Sequence, residues 1–305
     1  MNLNKLFQLQ FMMFAEMCAG YLLCRFHILK PSDRSVLSKA VINLFLPANI
    51  INAFSLELNS EILEDFVQIL LVSSFIQILC MVLAHVLYNR TDPEKKKILQ
   101  YSTVCSNAGF LGNAVAEGVY GQLGMLYGQI YLIPLRIVMF SAGVSYFQGS
   151  SDFKTAVRKI ITHPCIIALL IGLFRMGLNL NLPEAVTSTL SSLGRCSTPL
   201  IMVFLGMILA EYGFSTMLSR TNLLFALVRL VLIPAAVFAV CLIFHIEPMI
   251  TGLSVLLCAM PAGTTSAVFA EQYHSDVRFA ADVVVLSTIL SIAVLPLWAW
   301  ILSTV

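Results

Sequence analysis

The sequence predicts an all-α integral membrane protein of about ten transmembrane helices in two inverted five-helix repeats. Three observations predict it: apolar runs of membrane-spanning length, basic residues confined to alternate loops, and self-similarity at a lag of about half the chain. Composition supports the first. Of 305 residues, 59% are hydrophobic and 11% charged, and mean hydropathy is +0.89, whereas a soluble domain is roughly a quarter charged. So little charge cannot cover a water-facing surface, and each apolar run of about twenty residues can cross a hydrocarbon core of about 30 Å.

The runs place helices at about 6–25, 36–55, 65–88, 98–120, 125–147, 161–178, 188–210, 221–244, 249–272 and 277–303. The first run, Leu6 to Cys24, is too long for the apolar part of a signal peptide and lacks a small-residue cleavage site, so it is expected to remain as a helix. The first loop carries Arg25, Lys30, Arg34 and Lys39, and the third Arg90, Lys95, Lys96 and Lys97. The fifth carries Lys154, Arg158 and Lys159, with Arg220 and Arg278 in the seventh and ninth. Odd loops thus hold thirteen of the eighteen basic residues, while the second loop is acidic (Glu57, Glu61, Glu64, Asp65). By the positive-inside rule the odd loops are cytoplasmic and both termini lie outside a bacterial-type inner membrane. The net charge of +2 does not indicate a nucleic-acid partner, because basic residues sit between apolar runs and not along a polar face. The Asn89-Arg90-Thr91 sequon falls on the cytoplasmic side and carries no weight. The eight cysteines are scattered through apolar segments with no C-x-x-C and no histidine at ligand spacing; they read as small buried hydrophobes, and no metal is expected.

At a lag of 152–153, Gly20 meets Gly172, Pro31 meets Pro183, Pro47 meets Pro199, and Ala114-Val115-Ala116-Glu117-Gly118-Val119-Tyr120 meets Ala267-Val268-Phe269-Ala270-Glu271-Gln272-Tyr273. The halves are 1–150 and 151–305. An odd number of helices per half turns the second upside down, the pattern of secondary transporters working by alternating access.

The fourth and ninth helices are expected to be interrupted. Ser106-Asn107-Ala108-Gly109-Phe110-Leu111-Gly112-Asn113 puts two glycines and two asparagines near mid-membrane, where both weaken a helix. Met260-Pro261-Ala262-Gly263-Thr264-Thr265-Ser266 removes a donor at Pro261 and lowers helix stability at Gly263. Freed N–H groups at a half-helix start favour an anion, so Asn107, Gly112, Asn113, Pro261, Gly263, Thr264 and Thr265 are the candidate substrate-binding residues. Pro47 and Pro199 kink the second and seventh helices, with Asn43, Asn49, Ser197 and Thr198 placed to satisfy the loosened carbonyls; Asn43 is also a candidate substrate contact. Arg136 lies mid-helix, where arginine costs about 2.5–3.5 kcal/mol, so it is expected to meet a substrate carboxylate or a fixed partner such as Glu16 or Glu117. Glu16 and Glu117 are also candidates for a coupling proton or sodium ion; no other cofactor is expected. Arg195 and Arg229, nearer helix ends, are expected to snorkel to the surface.

Asn107-x5-Asn113 with Gly112, Ala259-Met260-Pro261-Ala262-Gly263, Val268-Phe269-Ala270-Glu271-Gln272-Tyr273 and Leu295-Pro296 resemble the auxin efflux carrier family, which includes plant auxin carriers and bacterial malate or malonate permeases. The resemblance implies that helices 1, 2, 6 and 7 form a dimerising scaffold. Helices 3–5 and 8–10 would move as a transport domain, with the broken fourth and ninth crossing at the substrate. It implies a homodimer carrying a carboxylate such as malate, malonate or an auxin-like acid. Where the family often has Gly-x-Pro, this chain has Gly112-Asn113-Ala114, and Gln148 to Ile160 is too short for the long plant loop. An enzyme is not expected, since H-E-x-x-H and G-x-S-x-G are both absent. An anion channel or polytopic sensor is the alternative, although no pore-lining charge ring or signalling domain is visible.

Overall fold

The computed structural model describes residues 3–55, 60–109, 111–148, 158, 161–212 and 217–304. Glu57 of the acidic loop, Phe110 of the first interruption, Lys154 and Lys159, and most of the 148–160 connection lie outside the described residues.

The chain is all-helical, and no strand occurs among the described residues. Helix α1 is Leu3–Arg25 and α2 is Asp33–Ala53. Next come α3 (Ser60–Leu87), α4 (Pro93–Val104) and α5 (Leu111–Val138), which continues through a π turn at Met139–Gly143 into α6 (Val144–Gln148). The second half has α7 (Pro164–Gly177), α8 (Glu184–Glu211), α9 (Arg220–Ile243), α10 (Pro248–Cys258), α11 (Thr265–Gln272) and α12 (Val277–Leu302).

Five described helices are long and apolar enough to cross a membrane, or six if the bent pair formed by α5 and the segment after it counts as one span. Ten uniform spans therefore do not appear by length. The expected fourth and ninth runs are each split, leaving α4 and α10 as half-length helices, and α7 has only 14 residues.

Local chemistry accounts for the irregular points. Proline lacks an N–H and its ring crowds the carbonyl four residues back. Widened π turns, Val41–Phe45 and Val228–Leu232, accordingly precede Pro47 in α2 and Pro234 in α9. At the Pro199 bend, Ser197 Oγ donates to Gly194 O at 2.7 Å, the carbonyl repair expected there. Within α5, Gly121 takes φ 68° and ψ −152°, a backbone that side chains with a Cβ rarely adopt. The chain folds back on itself there: a Cβ on Gly128 would lie 3.5 Å from both Ala116 Cβ and Asn113 Oδ1. In a straight helix these residues would be about 18–22 Å apart.

Packing is densest within two sets of helices, although α1 also touches α5 and α12, α2 touches α5, and α8 touches α12. In one, α1 runs along the second part of α8, with Gly20 against the Val203 backbone and Gly206 against Met17 and Tyr21. Without a Cβ the backbones approach closely, which is how helices gain dispersion energy where lipid removes the hydrophobic drive. In the same group the end of α2 lies between α7 and the first part of α8, with the Phe54 ring over Gly172 and the Asn49 backbone against Gly194. In the other group, α3 packs on α4 and α5, α10 packs on α3, α5, α9 and α12, and α11 packs on α12.

Candidate functional site

Both interruptions begin where well-started helices end. Asp92 Oδ1 accepts from Glu94 N and Lys95 N ahead of α4, and Glu247 Oε2 accepts from Ile250 N at 2.8 Å ahead of α10; each helix has proline at its first position. These caps satisfy donors that the first turn leaves unpaired. Helix α4 stops at Val104 and α10 at Cys258, and the extended stretches that follow pair with each other. Asn107 N donates to Pro261 O at 2.8 Å, Gly263 N donates to Cys105 O at 2.9 Å, and Ser106 and Ala262 form an antiparallel bridge. A Cβ on Gly263 would lie 2.7 Å from Cys105 O, so this approach requires glycine. Ala262 N is satisfied from the side by Ser287 Oγ of α12 at 3.1 Å.

Beside the paired breaks lies a cavity of about 830 Å³. Its walls include Asn107, Gly263, Thr264, Thr265, Arg136 and Asn43, six of the residues expected from the sequence. Arg34, Lys39, Thr162 and His274 also border it, so it opens toward the side holding the odd loops. Ser106 Oγ, both amide atoms of Asn107, Thr264 Oγ1 and Arg136 Nη1 are buried along this wall with no hydrogen-bond partner among the described residues. Each such group costs about 1–3 kcal/mol when left unsatisfied, so a cluster of them in one cavity marks a place where a polar ligand would be stabilised.

The remaining expected residues lie elsewhere. Asn113 does not border the cavity; its Nδ2 donates to Gly109 O at 2.6 Å and so repairs the backbone at the break. Gly112 is a packing position, since a Cβ there would lie 2.7 Å from Leu257 Cδ2. Pro261 contributes the carbonyl that accepts from Asn107 N. Asn43 borders the cavity while its Nδ2 donates to Lys39 O at 2.8 Å.

Arg136 is 4% exposed and forms no ion pair with Glu16 or Glu117 among the described residues. Its Nη2 donates to Gln129 Oε1 at 2.6 Å, and Gln129 Nε2 donates to Asn49 Oδ1 at 3.4 Å. Gln129 is fully buried two turns before Arg136, so a neutral amide holds the guanidinium without cancelling its charge. Glu117 is exposed and borders a second cavity of about 710 Å³, with Asn49, Ser191 and Arg195, near the opposite ends of the same helices. Glu16 borders neither cavity, and its Oε2 is buried without a hydrogen-bond partner among the described residues.

Arg195 is exposed, as expected of a snorkelling side chain, but Arg229 is 2% exposed and turns inward to the breaks. The proximity of Arg229 to a helix end along the chain concealed this, because what surrounds it comes from α3, α4 and the segment after α10. Arg34 also escaped notice as a site residue: it bridges Glu211 at 2.8 Å and approaches Glu271 at 3.9 Å at the cavity mouth. Gln129 could have been found from sequence as a polar residue deep in an apolar run.

A family model described as membrane transport protein matches residues 3–299. An uncharacterized transporter of Methanocaldococcus jannaschii is 26% identical over 296 residues, covering 93% of this chain and 94% of the relative. An uncharacterized transporter of Methanothermobacter thermautotrophicus is 27% identical over 289 residues, again covering 93% and 94%.

Proposed function

Because the chain belongs to the auxin efflux carrier family of membrane transport proteins, we propose that it is a secondary transporter of a small organic anion. The expected substrate is a carboxylate such as malate, malonate or an auxin-like acid. The observation that carries this reading is the cavity beside the breaks, where Arg136, balanced by no carboxylate among the described residues, shares a wall with side-chain atoms of Asn107, Ser106 and Thr264 that have no partner among those residues. A guanidinium and several polar groups are what an anion needs on leaving water.

The reading extends to an alternating-access, elevator-like mechanism in a ten-span inverted repeat with crossing broken helices. Two cavities on opposite sides, separated by Arg136, Gln129 and Asn49, support alternating access. The inverted repeat is supported by matched packing: Gly20 of α1 lies against α8, and Gly172, 152 residues later on α7, lies against Phe54 at the end of α2. Grouping α1, α2, α7 and α8 apart from the rest agrees with a dimerising scaffold and a separate transport domain. Glu16 and Glu117 are the candidates for a coupling proton or sodium ion.

The protein spans the membrane several times, and we place it in an inner membrane with both termini outside. Cysteine-labelling checks this orientation: a cysteine near Lys96 is expected to react only from the cytoplasmic side, and one near Glu61 only from outside. Reversed labelling would overturn it. In proteoliposomes, labelled malate, malonate or indole acetate is expected to show saturable flux with counterflow. Non-saturating flux would favour a channel instead, and no flux with any of the three would defeat the anion reading.

A further inference from the structure

Helices α4 and α10 point their C-terminal ends at the same place, since the segments following Val104 and Cys258 pair with each other. The last carbonyls of a helix lack intrahelical partners, and each end carries the equivalent of about −0.5 charge. Two such ends in a buried centre amount to about one negative charge that is poorly screened there.

Arg229 sits where that charge gathers. It projects from the π turn of α9, and its Nε donates to Met260 O at 3.2 Å, beyond the end of α10. Its Nη1 donates to Thr103 O in the last turn of α4 at 3.4 Å, and also approaches Cys80 Sγ at 3.7 Å. None of the ion pairs among the described residues involves Arg229. Gln77, 152 residues earlier on α3, donates to Val104 O at 3.1 Å, so the matching position of the first half makes the same kind of contact without a charge.

We propose that Arg229 is a positioning residue whose guanidinium is the fixed cation neutralising the C-terminal ends of both broken helices. With those ends cancelled, the N-terminal starts of the segments that follow the breaks, the turn at Asn107–Gly109 and α11 from Thr265, are left positive toward the cavity. This deepens the anion reading and rests on it for its effect on substrate, but not for the cation site itself. The pocket vacated by Arg229→Ala would take a small planar monovalent cation.

The test compares wild type, Arg229→Ala, Arg229→Lys and Gln77→Ala, each purified whole, by melting temperature in non-denaturing guanidinium chloride or choline chloride at equal ionic strength. Guanidinium is expected to raise the melting temperature of Arg229→Ala relative to choline and to leave wild type and Gln77→Ala unraised. Arg229→Lys, which keeps the charge, should melt closer to wild type than Arg229→Ala. No selective guanidinium effect on Arg229→Ala, or a lysine variant no better than alanine, overturns the proposal. If Arg229→Ala does not fold, Arg229→Gln, which removes the charge while keeping an amide donor, is compared with Arg229→Lys, and a glutamine variant that melts as high as the lysine variant overturns the proposal. In proteoliposomes the half-saturation concentration for malonate is expected to rise about ten-fold or more in Arg229→Ala and to recover partly in Arg229→Lys. If wild type carries none of the tested carboxylates, the anion reading fails while guanidinium rescue still decides the cation site. If wild type carries malonate and rescue is absent, the cation site alone fails.

Discussion

Arg136→Ala is expected to raise the half-saturation concentration for carboxylate transport roughly ten- to a hundred-fold, the equivalent of about 1.5–3 kcal/mol for a charge-assisted contact. Arg136 borders the cavity beside the breaks, and among the described residues its Nη1 is unpartnered and its side-chain hydrogen-bond partner is the neutral Gln129. Its charge is therefore available to an anion, where a fixed Arg–Glu pair would already have spent it. The alanine variant also leaves Gln129 Oε1 without its donor, so some loss of melting temperature accompanies the loss of affinity. Arg136→Lys separates the two effects. Lysine keeps the charge but has a single ammonium group in place of the planar fork. It cannot be expected to satisfy Gln129 and the anion together, and should fall between alanine and wild type in affinity. Unaltered half-saturation in a well-folded Arg136→Ala protein would make the residue purely structural.

Asn107→Ala and Asn113→Ala are expected to fail in different ways, although the two residues look alike in the sequence. Asn107 is 1% exposed, borders the cavity, and has neither side-chain amide atom partnered among the described residues. Removing it takes no hydrogen bond from the protein, so melting temperature should hold or rise slightly while anion affinity falls by about 1.5–3 kcal/mol, again roughly ten- to a hundred-fold. Asn113 donates to Gly109 O at the break, and it does not border the cavity. Its loss should cost about 1 kcal/mol of stability and change affinity less. Melting temperature and half-saturation measured on the same preparations decide the matter. A large melting loss with unchanged affinity in Asn107→Ala would remove it from the binding site.

The sequence by itself determined the environment of the chain and the places where its helices fail. Membrane crossing depends on the summed transfer of side chains into lipid, which is additive along the chain, so apolar runs and their basic flanks are legible one segment at a time. Interruption within 106–113 and 260–266 was legible for a similar reason, since proline and glycine act on their own backbone. The number of full-length spans was less legible, because hydropathy does not register where an apolar run is cut into two half-helices.

Only the tertiary structure decided which polar groups face the cavity. Asn107 and Asn113 differ because the break is held by a pairing with Pro261 and Gly263, some 150 residues away, which commits Asn107 N to that pairing while its amide stays at the cavity wall. Arg136 and Arg229 are both lone arginines in apolar helices, and nothing local separates them. The expected Glu16 or Glu117 partner for Arg136 is replaced by Gln129, two turns back on its own helix. Arg229 is taken up by carbonyls from two helix ends more than a hundred residues apart in the chain. Burial of a charge is settled by whichever partners reach it, and those partners converge only when distant helices pack.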